Sequence, residues 1–323
     1  MTDIYVIVSA YNEAQNIESL LRNMQSQTYK GFNLIVVDDC STDNTFSIAS
    51  KYSKTHHFTD IFKSFNLVSA VSRFGKDENI RGMLEHIKGD ALILITDADC
   101  TLPATWVESM LSEYNKTKAS MLIGPVAING DYPVQATEFL SIQMVTRASA
   151  ALGTPLMCGG ANLAFTTEAY RISKEFMPHG KPNGADMYLL DAMKLTKQKI
   201  VAVTNPAATV LTRGKDTISS FLHQRTRWAG KALDYRNKSI TATAAVVLLI
   251  QLFFIVILIL SPFHPEFLYY WAAKVILDFC MLSVMAVKNK VYGLIPYILP
   301  VSVIYPFYVT AVFINTIIER NKR

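Results

Sequence analysis

Neither G-x-G-x-x-G nor G-x-x-x-x-G-K-[ST] occurs anywhere in the 323 residues. Those glycine patterns let backbone amides close on phosphate, so their absence argues against dinucleotide-binding and P-loop folds. Cysteine is scarce too. Cys40, Cys100, Cys158 and Cys280 show neither a paired metal-ligand spacing nor a disulfide-rich pattern, which predicts four reduced thiols. Only 18% of the residues are charged against 50% apolar, and the net charge is +5. No basic tract has the footprint of a nucleic-acid surface, so nucleic acid is not an expected partner. The opening Met1-Thr2-Asp3 lacks a basic leader, and the apolar run at residues 4–10 is too short for a secretory signal. The first part of the chain is therefore expected to stay in the cytosol. Internal repeats and low-complexity segments are also missing.

The scarcity of charge is local. Residues 240–260 carry none, and residues 267–287 carry only Lys274 and Asp278, one helical turn apart. Residues 291–318 are again uncharged but contain Pro296, Pro300 and Pro306. A single such block would read as a buried core helix. Three in succession, each near the ~20 residues that cross bilayer hydrocarbon, predict a membrane domain. The chain is thus expected to divide into a domain at residues 1–238 and a membrane domain at residues 239–323. Arg225, Arg227, Lys231, Arg236 and Lys238 would then lie beside the lipids of the cytosolic leaflet. The same rule places Lys288-Asn289-Lys290 inside, and the prolines allow the third block to break or re-enter and return the basic tail to the cytosol. The expected location is a bacterial-type cytoplasmic membrane.

In the first domain, residues 4–8 are β-rich, and Ile17, Leu20, Leu21 and Met24 follow at helical spacing. Residues 34–37 form the continuous apolar run of a strand buried on both faces, closing in Asp38-Asp39. Residues 41–43 read as a turn and helix cap. Residues 92–96 read as another buried strand and end in Asp97-Ala98-Asp99. Two strand–loop–helix units in about 50 residues predict a parallel α/β sheet. Ligands of such sheets lie beyond the carboxyl ends of the strands. Tyr11-Asn12-Glu13, Asp38-Asp39 and Asp97-Ala98-Asp99 all fall at that edge. One Asp-x-Asp alone would be an ordinary turn, but acidic groups at several strand tips suit a hard cation, Mg²⁺ or Mn²⁺, bridging to a diphosphate.

The series Tyr11-Asn12-Glu13, VVDDCSTDNT, Gly75-Lys76, TDADC, CGGANLAF (158–165), GADMYLL and QRTRW (224–228) resembles family 2 glycosyltransferases. The resemblance implies the GT-A fold, a mostly parallel sheet flanked by helices that binds a nucleotide-diphospho-sugar, here followed by a helical transmembrane region. Q-x-x-R-W ahead of membrane helices is similar to the branch holding cellulose, hyaluronan and poly-N-acetylglucosamine synthases and ceramide glucosyltransferases. It implies a UDP-sugar donor, with Tyr11, Glu13, Asp38, Asp39 and Lys76 on the nucleotide. Asp97 and Asp99 would hold the metal and diphosphate, with Asp99 the more direct ligand. Residues 158–162 form a small-residue loop read as shape rather than chemistry.

For the general base, the family uses the second acid of a pair ahead of an apolar helix. Here the pair is Ala185-Asp186, so Asp186 takes the role and would accept the proton of the attacking hydroxyl. Asp191 is the fallback, at a position more often on the polar surface. Gln224, Arg227 and Trp228 are implied to face the leaving nucleoside diphosphate and the acceptor, Arg227 neutralising charge and Trp228 offering a ring face. An interfacial amphipathic helix explains the same residues, and the two readings are compatible. Only residues 229–239 separate Trp228 from the first apolar block, a reach of ~40 Å even when extended.

The expected function is therefore inverting transfer of a sugar from a nucleotide diphosphate to a hydroxyl of a lipid-linked or membrane-associated acceptor. A processive polysaccharide synthase is the first alternative; three apolar blocks are few for an export pore, so it would need a partner membrane subunit. An inactive membrane scaffold is motivated by Ala185, but the joint presence of Asp97, Asp99, Asp186 and Arg227 opposes it. A nucleotidyltransferase leaves Q-x-x-R-W beside a membrane domain unexplained.

Overall fold

The computed structural model describes residues 2–54, 62–178, 184–232 and 238–321. They form two compact units, one of Met1–Ala127 with Thr146–Arg213, the other of Ile128–Val145 with Gly214–Arg323.

The first unit is built on β-strands, of which the central ones are apolar and buried. The strands are β1 (Asp3–Ala10), β2 (Asn33–Asp38), β3 (Ser64–Ser69) and β4 (Ala91–Asp97), followed by β5 (Met121–Ile123), β6 (Val126–Ile128), β7 (Leu163–Thr166), β8 (Ile200–Ala202) and β9 (Val210–Thr212). Every residue of β2 is buried, as is all of β4 up to Thr96. That is the pattern of strands covered on both faces. The main sheet has the order β3-β2-β1-β4-β7-β5-β8, and β6 pairs with β9 in a separate ribbon. β1, β2, β3 and β4 run parallel, as do β5 and β8, while β7 is antiparallel to both its neighbours. The sheet is mostly parallel, as expected.

Register brings the polar strand ends to within one residue of each other along the same edge. Asp38 lies opposite Ala10 and Ser69, and Asp97 lies opposite Ser9. Four helices join these first strands to the next: α1 (Ile17–Gln25), α2 (Thr45–Ser53), α3 (Lys76–His86) and α4 (Trp106–Thr117). α1 buries Ile17, Leu20, Leu21 and Met24, the stripe its spacing predicts. α5 (Pro133–Ala151) runs from the second unit into the first, and α6 (Thr167–Ser173) and α7 (Ala185–Leu195) complete the first unit.

Asn162, in the small-residue loop, ties this core together. It is fully buried; its Oδ1 accepts from the indole of Trp106 at 2.9 Å, and its amide donates to the carbonyls of Pro125 (2.8 Å) and Ala208 (2.9 Å). A Cβ on Gly124 would stand 2.1 Å from the Asn162 side chain, so Gly124 is needed for the fit. Asn162→Ala leaves the Trp106 indole N–H without its acceptor and takes a donor from two carbonyls, of which Pro125 keeps the amide of Val210. It is expected to destabilise the unit by about 3 kcal/mol or more, read as a lowered thermal midpoint.

The second unit contains α8 (Ile218–Ala232), α9 (Lys238–Leu260), α10 (Phe267–Lys288) and α11 (Ile295–Asn321). α9, α10 and the segment Tyr292–Asn321 are long and apolar enough to cross a membrane. The sequence placed a division at residue 238, whereas the compact unit draws in α8 and residues 128–145. Side chains account for this. Glu138 binds Arg225 and Tyr308, Gln135 exchanges two hydrogen bonds with the backbone of Lys215, and Leu140 packs on Met285 and Ala286.

The expected break in the third apolar block is absent: α11 passes through Pro300 and Pro306 as one helix. Pro296 sits in its first turn, where no amide donor is required. Pro306 withholds the N–H that the Ser302 carbonyl would accept, and the Lys274 ammonium of α10 donates to that carbonyl instead. Lys274 also pairs with Asp278 at 2.7 Å, one turn along its own helix. The two charges in the second apolar block thus neutralise each other and mend the backbone at a proline.

Candidate active site

The first strand tip is shaped by its neighbour. The loop after β2 reaches back to the loop after β1, with Asn12 N donating to Ser41 Oγ (3.0 Å), Glu13 N to Thr45 Oγ1 (2.8 Å), Ala14 N to Asp43 Oδ2 (3.1 Å) and Thr42 N to Asn12 Oδ1 (2.8 Å). Asn12 and Cys40 hold left-handed backbone, with φ of 55° and 61°, at the two turns. Asn tolerates that region; Cys does so at a cost of order 1 kcal/mol, borne by this lacing. Tyr11 is thereby set at the edge, where the Arg73 guanidinium lies 3.8 Å from its ring centroid. Arg73 went unnoticed in the sequence because no spacing rule links it to Tyr11.

The Asp38-Asp39 pair divides its labour. Asp39 is buried and accepts from the amides of Phe74 (3.0 Å) and Gly75 (2.9 Å), fixing the loop that leads into α3. Asp38 is equally buried; its Oδ2 accepts from Ser41 N at 3.2 Å, while its Oδ1 has no hydrogen-bond partner among the described residues. A buried carboxylate oxygen left open is costly unless a ligand donor completes it.

At the tip of β4, Cys100 N bonds back to Asp97 O at 3.2 Å, and the buried Ala98 pins the turn between the two acids. Ligand atoms of Asp97, Asp99 and Cys100 lie within 4.8 Å of one another. Burial first, then Asp97 and Asp99, push the Cys100 thiol well above its ordinary range, so it stays protonated. The two carboxylates are the hard donors, and they suit Mg²⁺ or Mn²⁺. Glu13 belongs to the same field: burial, then Asp99, Asp97 and Asp43, raise its carboxyl, against a 2.7 Å hydrogen bond from Asn16.

Lys76 opens α3 and pairs with Asp97, while donating to the Gly160 carbonyl at 2.9 Å. Burial disfavours its charge, but the attraction and hydrogen bond of Asp97, with Asp186 behind them, outweigh this and raise the ammonium above its usual value. Gly160 N in turn donates to Asp186 Oδ2 at 2.9 Å. Asp186 Oδ1 accepts from Met187 N at 2.9 Å in the first turn of α7, where a helix terminus favours an anion. The preceding amide, Ala185 N, is capped by Asp77 Oδ2 at 2.9 Å. The Cys158 thiol donates to the Asp186 carbonyl at 3.2 Å and is held protonated by burial, then by Asp186 and Asp191.

Asp97, Lys76, Gly160 and Asp186 therefore form one continuous chain of contacts. The small-residue loop, expected to supply shape alone, supplies its central amide and carbonyl. Asp191, expected on the polar surface, is 5% exposed. Asp77 could have been noticed only as the acid following Lys76.

Gln224, Arg227 and Trp228 lie on α8 in the second unit. Gln224 Oε1 accepts from Arg225 at 2.8 Å, and the Arg225 guanidinium also stands 4.2 Å from the Trp228 ring centroid. Arg227 is exposed, and Trp228 is exposed to 38%. Glu138 holds Arg225 at 2.6 Å with both side chains buried. One face of Trp228 is thus already engaged by a cation.

A mostly parallel sheet with acidic strand tips at its carboxyl edge is the GT-A arrangement. The profile described as Glycosyl transferase family 2 matches residues 5–169, just over half of the chain, and the chain belongs to that family. It is 28% identical over 116 residues to the cholesterol galactosyltransferase of Borreliella burgdorferi, a match covering 36% of this chain and 29% of that relative. The mannosyltransferase PcManGT of Pyrobaculum calidifontis, solved with GDP-Man and Mn²⁺, aligns with a TM-score of 0.62 at 20% identity, over 97% of this chain and 86% of its own. TarS residues 1–349 of S. aureus, solved with UDP-GlcNAc, align with a TM-score of 0.51 at 14% identity, over 94% and 91%. At these identities the two structures speak for the fold.

Proposed function

We propose that the protein transfers a sugar from a nucleotide-diphosphate donor, a UDP-sugar, to a hydroxyl of a membrane-associated acceptor, with inversion at the anomeric carbon. The observation that carries this reading is the contact chain from Asp97 through Lys76 and Gly160 to Asp186. It unites a cation-binding acid and a positioned base, the two parts an inverting transfer needs.

In this reading Tyr11 and Arg73 flank the base of the nucleotide, and the open Oδ1 of Asp38 accepts a donor from it. Asp39 acts by holding the loop that carries Lys76. Asp97 and Asp99 hold a divalent ion, Mn²⁺ or Mg²⁺, which when bound neutralises the charge of the diphosphate. Asp186 accepts the hydroxyl proton, its carboxylate aimed by the amides of Gly160 and Met187. Gln224, Arg227 and Trp228 are assigned to the leaving group and acceptor. The three long apolar helices support an acceptor that stays in the bilayer. The relative from B. burgdorferi is named for a sterol, a lipid carrying a single hydroxyl, in keeping with such an acceptor.

Calorimetry of the full-length protein in detergent against UDP- and GDP-sugars, each with and without Mn²⁺, tests the donor assignment. Binding of a UDP-sugar that requires the metal is expected. Metal-independent binding, or preference for GDP, would overturn the cation role or the choice of base respectively.

A further inference from the structure

Lys76 stands where a cation would. Its ammonium pairs with Asp97 and donates to the Gly160 carbonyl. A Cβ built on Gly160 would lie 2.9 Å from that nitrogen and 3.7 Å from Asp186 Oδ2, so the ammonium and the acid assigned as base close on the same small residue. The side chains of Lys76 and Asp97 keep 28% and 39% of their surface exposed, which leaves the pair open to a competitor from solvent.

The backbone of this lysine is fixed. Asp39 takes the amides of Phe74 and Gly75 just before it, and Asp77 just after it caps α7 at Ala185. The side chain beyond is a flexible four-carbon stem ending in a compact charge, able to turn while its helix stays in place. An ammonium and a divalent ion on one carboxylate repel each other, so each weakens the other's hold on Asp97. A diphosphate brings new negative charge to which the ammonium can turn.

Resting on the functional reading above, we propose that in the donor-free protein the Lys76 ammonium takes the divalent cation's place on Asp97, so that metal and nucleoside diphosphate bind as a coupled pair rather than metal first. Lys76 is in this sense a positioning residue that sets the order of assembly. The coupling is reciprocal: whatever factor the nucleotide contributes to metal affinity, the metal returns to nucleotide affinity.

The test is Mn²⁺ binding to the full-length protein in detergent, followed by the spin-resonance signal of free Mn²⁺, for Mn²⁺ alone and then with UDP or GDP. Lys76→Met is expected to bind Mn²⁺ alone about 10-fold more tightly than wild type, the lower end of what one adjacent charge does to a carboxylate's affinity for a cation. The enhancement of Mn²⁺ binding by the nucleotide should shrink by a similar factor. Lys76→Gln should behave in the same way and Lys76→Arg should keep the weak binding, which separates loss of charge from misfolding. Equal Mn²⁺ affinity in wild type and both neutral variants, with Asp97→Asn abolishing binding, would overturn the role of Lys76 and leave the metal site standing. Mn²⁺ binding indifferent to both Asp97→Asn and Asp99→Asn would overturn the metal site and the inference together.

Discussion

Asp186→Asn is expected to abolish sugar transfer, lowering turnover by ~100-fold or more while donor binding persists. The substitution changes few atoms, but its consequences are specific. Both carboxylate oxygens of Asp186 accept from backbone amides, Oδ2 from Gly160 and Oδ1 from Met187. A carboxamide has one acceptor oxygen, so its NH₂ must face one of those two N–H donors. A stability loss of about 1–3 kcal/mol therefore accompanies the loss of the base. Asp191→Asn is the control. Asp191 is also buried, so its replacement should cost stability as well, but turnover per folded molecule should be retained. If Asp191→Asn loses turnover and Asp186→Asn keeps it, the base has been assigned to the wrong turn of α7.

Asp99→Asn is expected to have the second largest effect, on binding rather than chemistry. Asp99 and Asp97 share one turn with ligand atoms within 4.8 Å, and Glu13 adds its field to theirs. Removing one of two hard ligands should weaken Mn²⁺-dependent nucleotide binding by about 100-fold, at the upper end of what loss of a supporting group costs a metal site. The fold should be unaffected, because Ala98 and the Cys100–Asp97 backbone bond hold the turn. Calorimetry with UDP in Mn²⁺ gives the number. An unchanged affinity would remove the metal assignment while leaving that of Asp186 intact.

These acids were legible in the sequence for different reasons. Asp97 and Asp99 close an apolar run so uniform that it reads as a buried strand, and the parallel register then carries Asp97 opposite Ser9, one residue short of the Ala10–Asp38 pair. Asp186 was legible only through resemblance, since an acid ahead of an apolar helix has no periodic signature of its own. What escaped notice were contacts between residues distant in the chain. Nothing local tells Lys76 to pair with Asp97, or Gly160 to join Lys76 to Asp186, and no pattern marks Arg73 as the partner of Tyr11.

The same limit applies to the second unit. Hydropathy located the three long helices, but Glu138, Leu140 and Gln135 lie between 80 and 170 residues before the partners that draw them there. The prolines of α11 suggest a break because each removes a backbone donor. A donor from a neighbouring helix, Lys274, satisfies the carbonyl that Pro306 leaves open, and the helix continues. That donor is itself one of the two charges that had looked like an interruption of an apolar block.

The proposed function makes the chain an active, metal-dependent sugar transferase with an acceptor in the membrane, and not an inactive scaffold. It is tested most directly by incubating the full-length protein, reconstituted in bilayers of membrane lipid, with radiolabelled UDP-sugars and Mn²⁺, and measuring label in the extracted lipid. Label is expected to enter the lipid fraction with wild-type protein and to stay at background with Asp186→Asn or with a metal chelator. Background label for every donor tried, or equal label from wild type and Asp186→Asn, would contradict it.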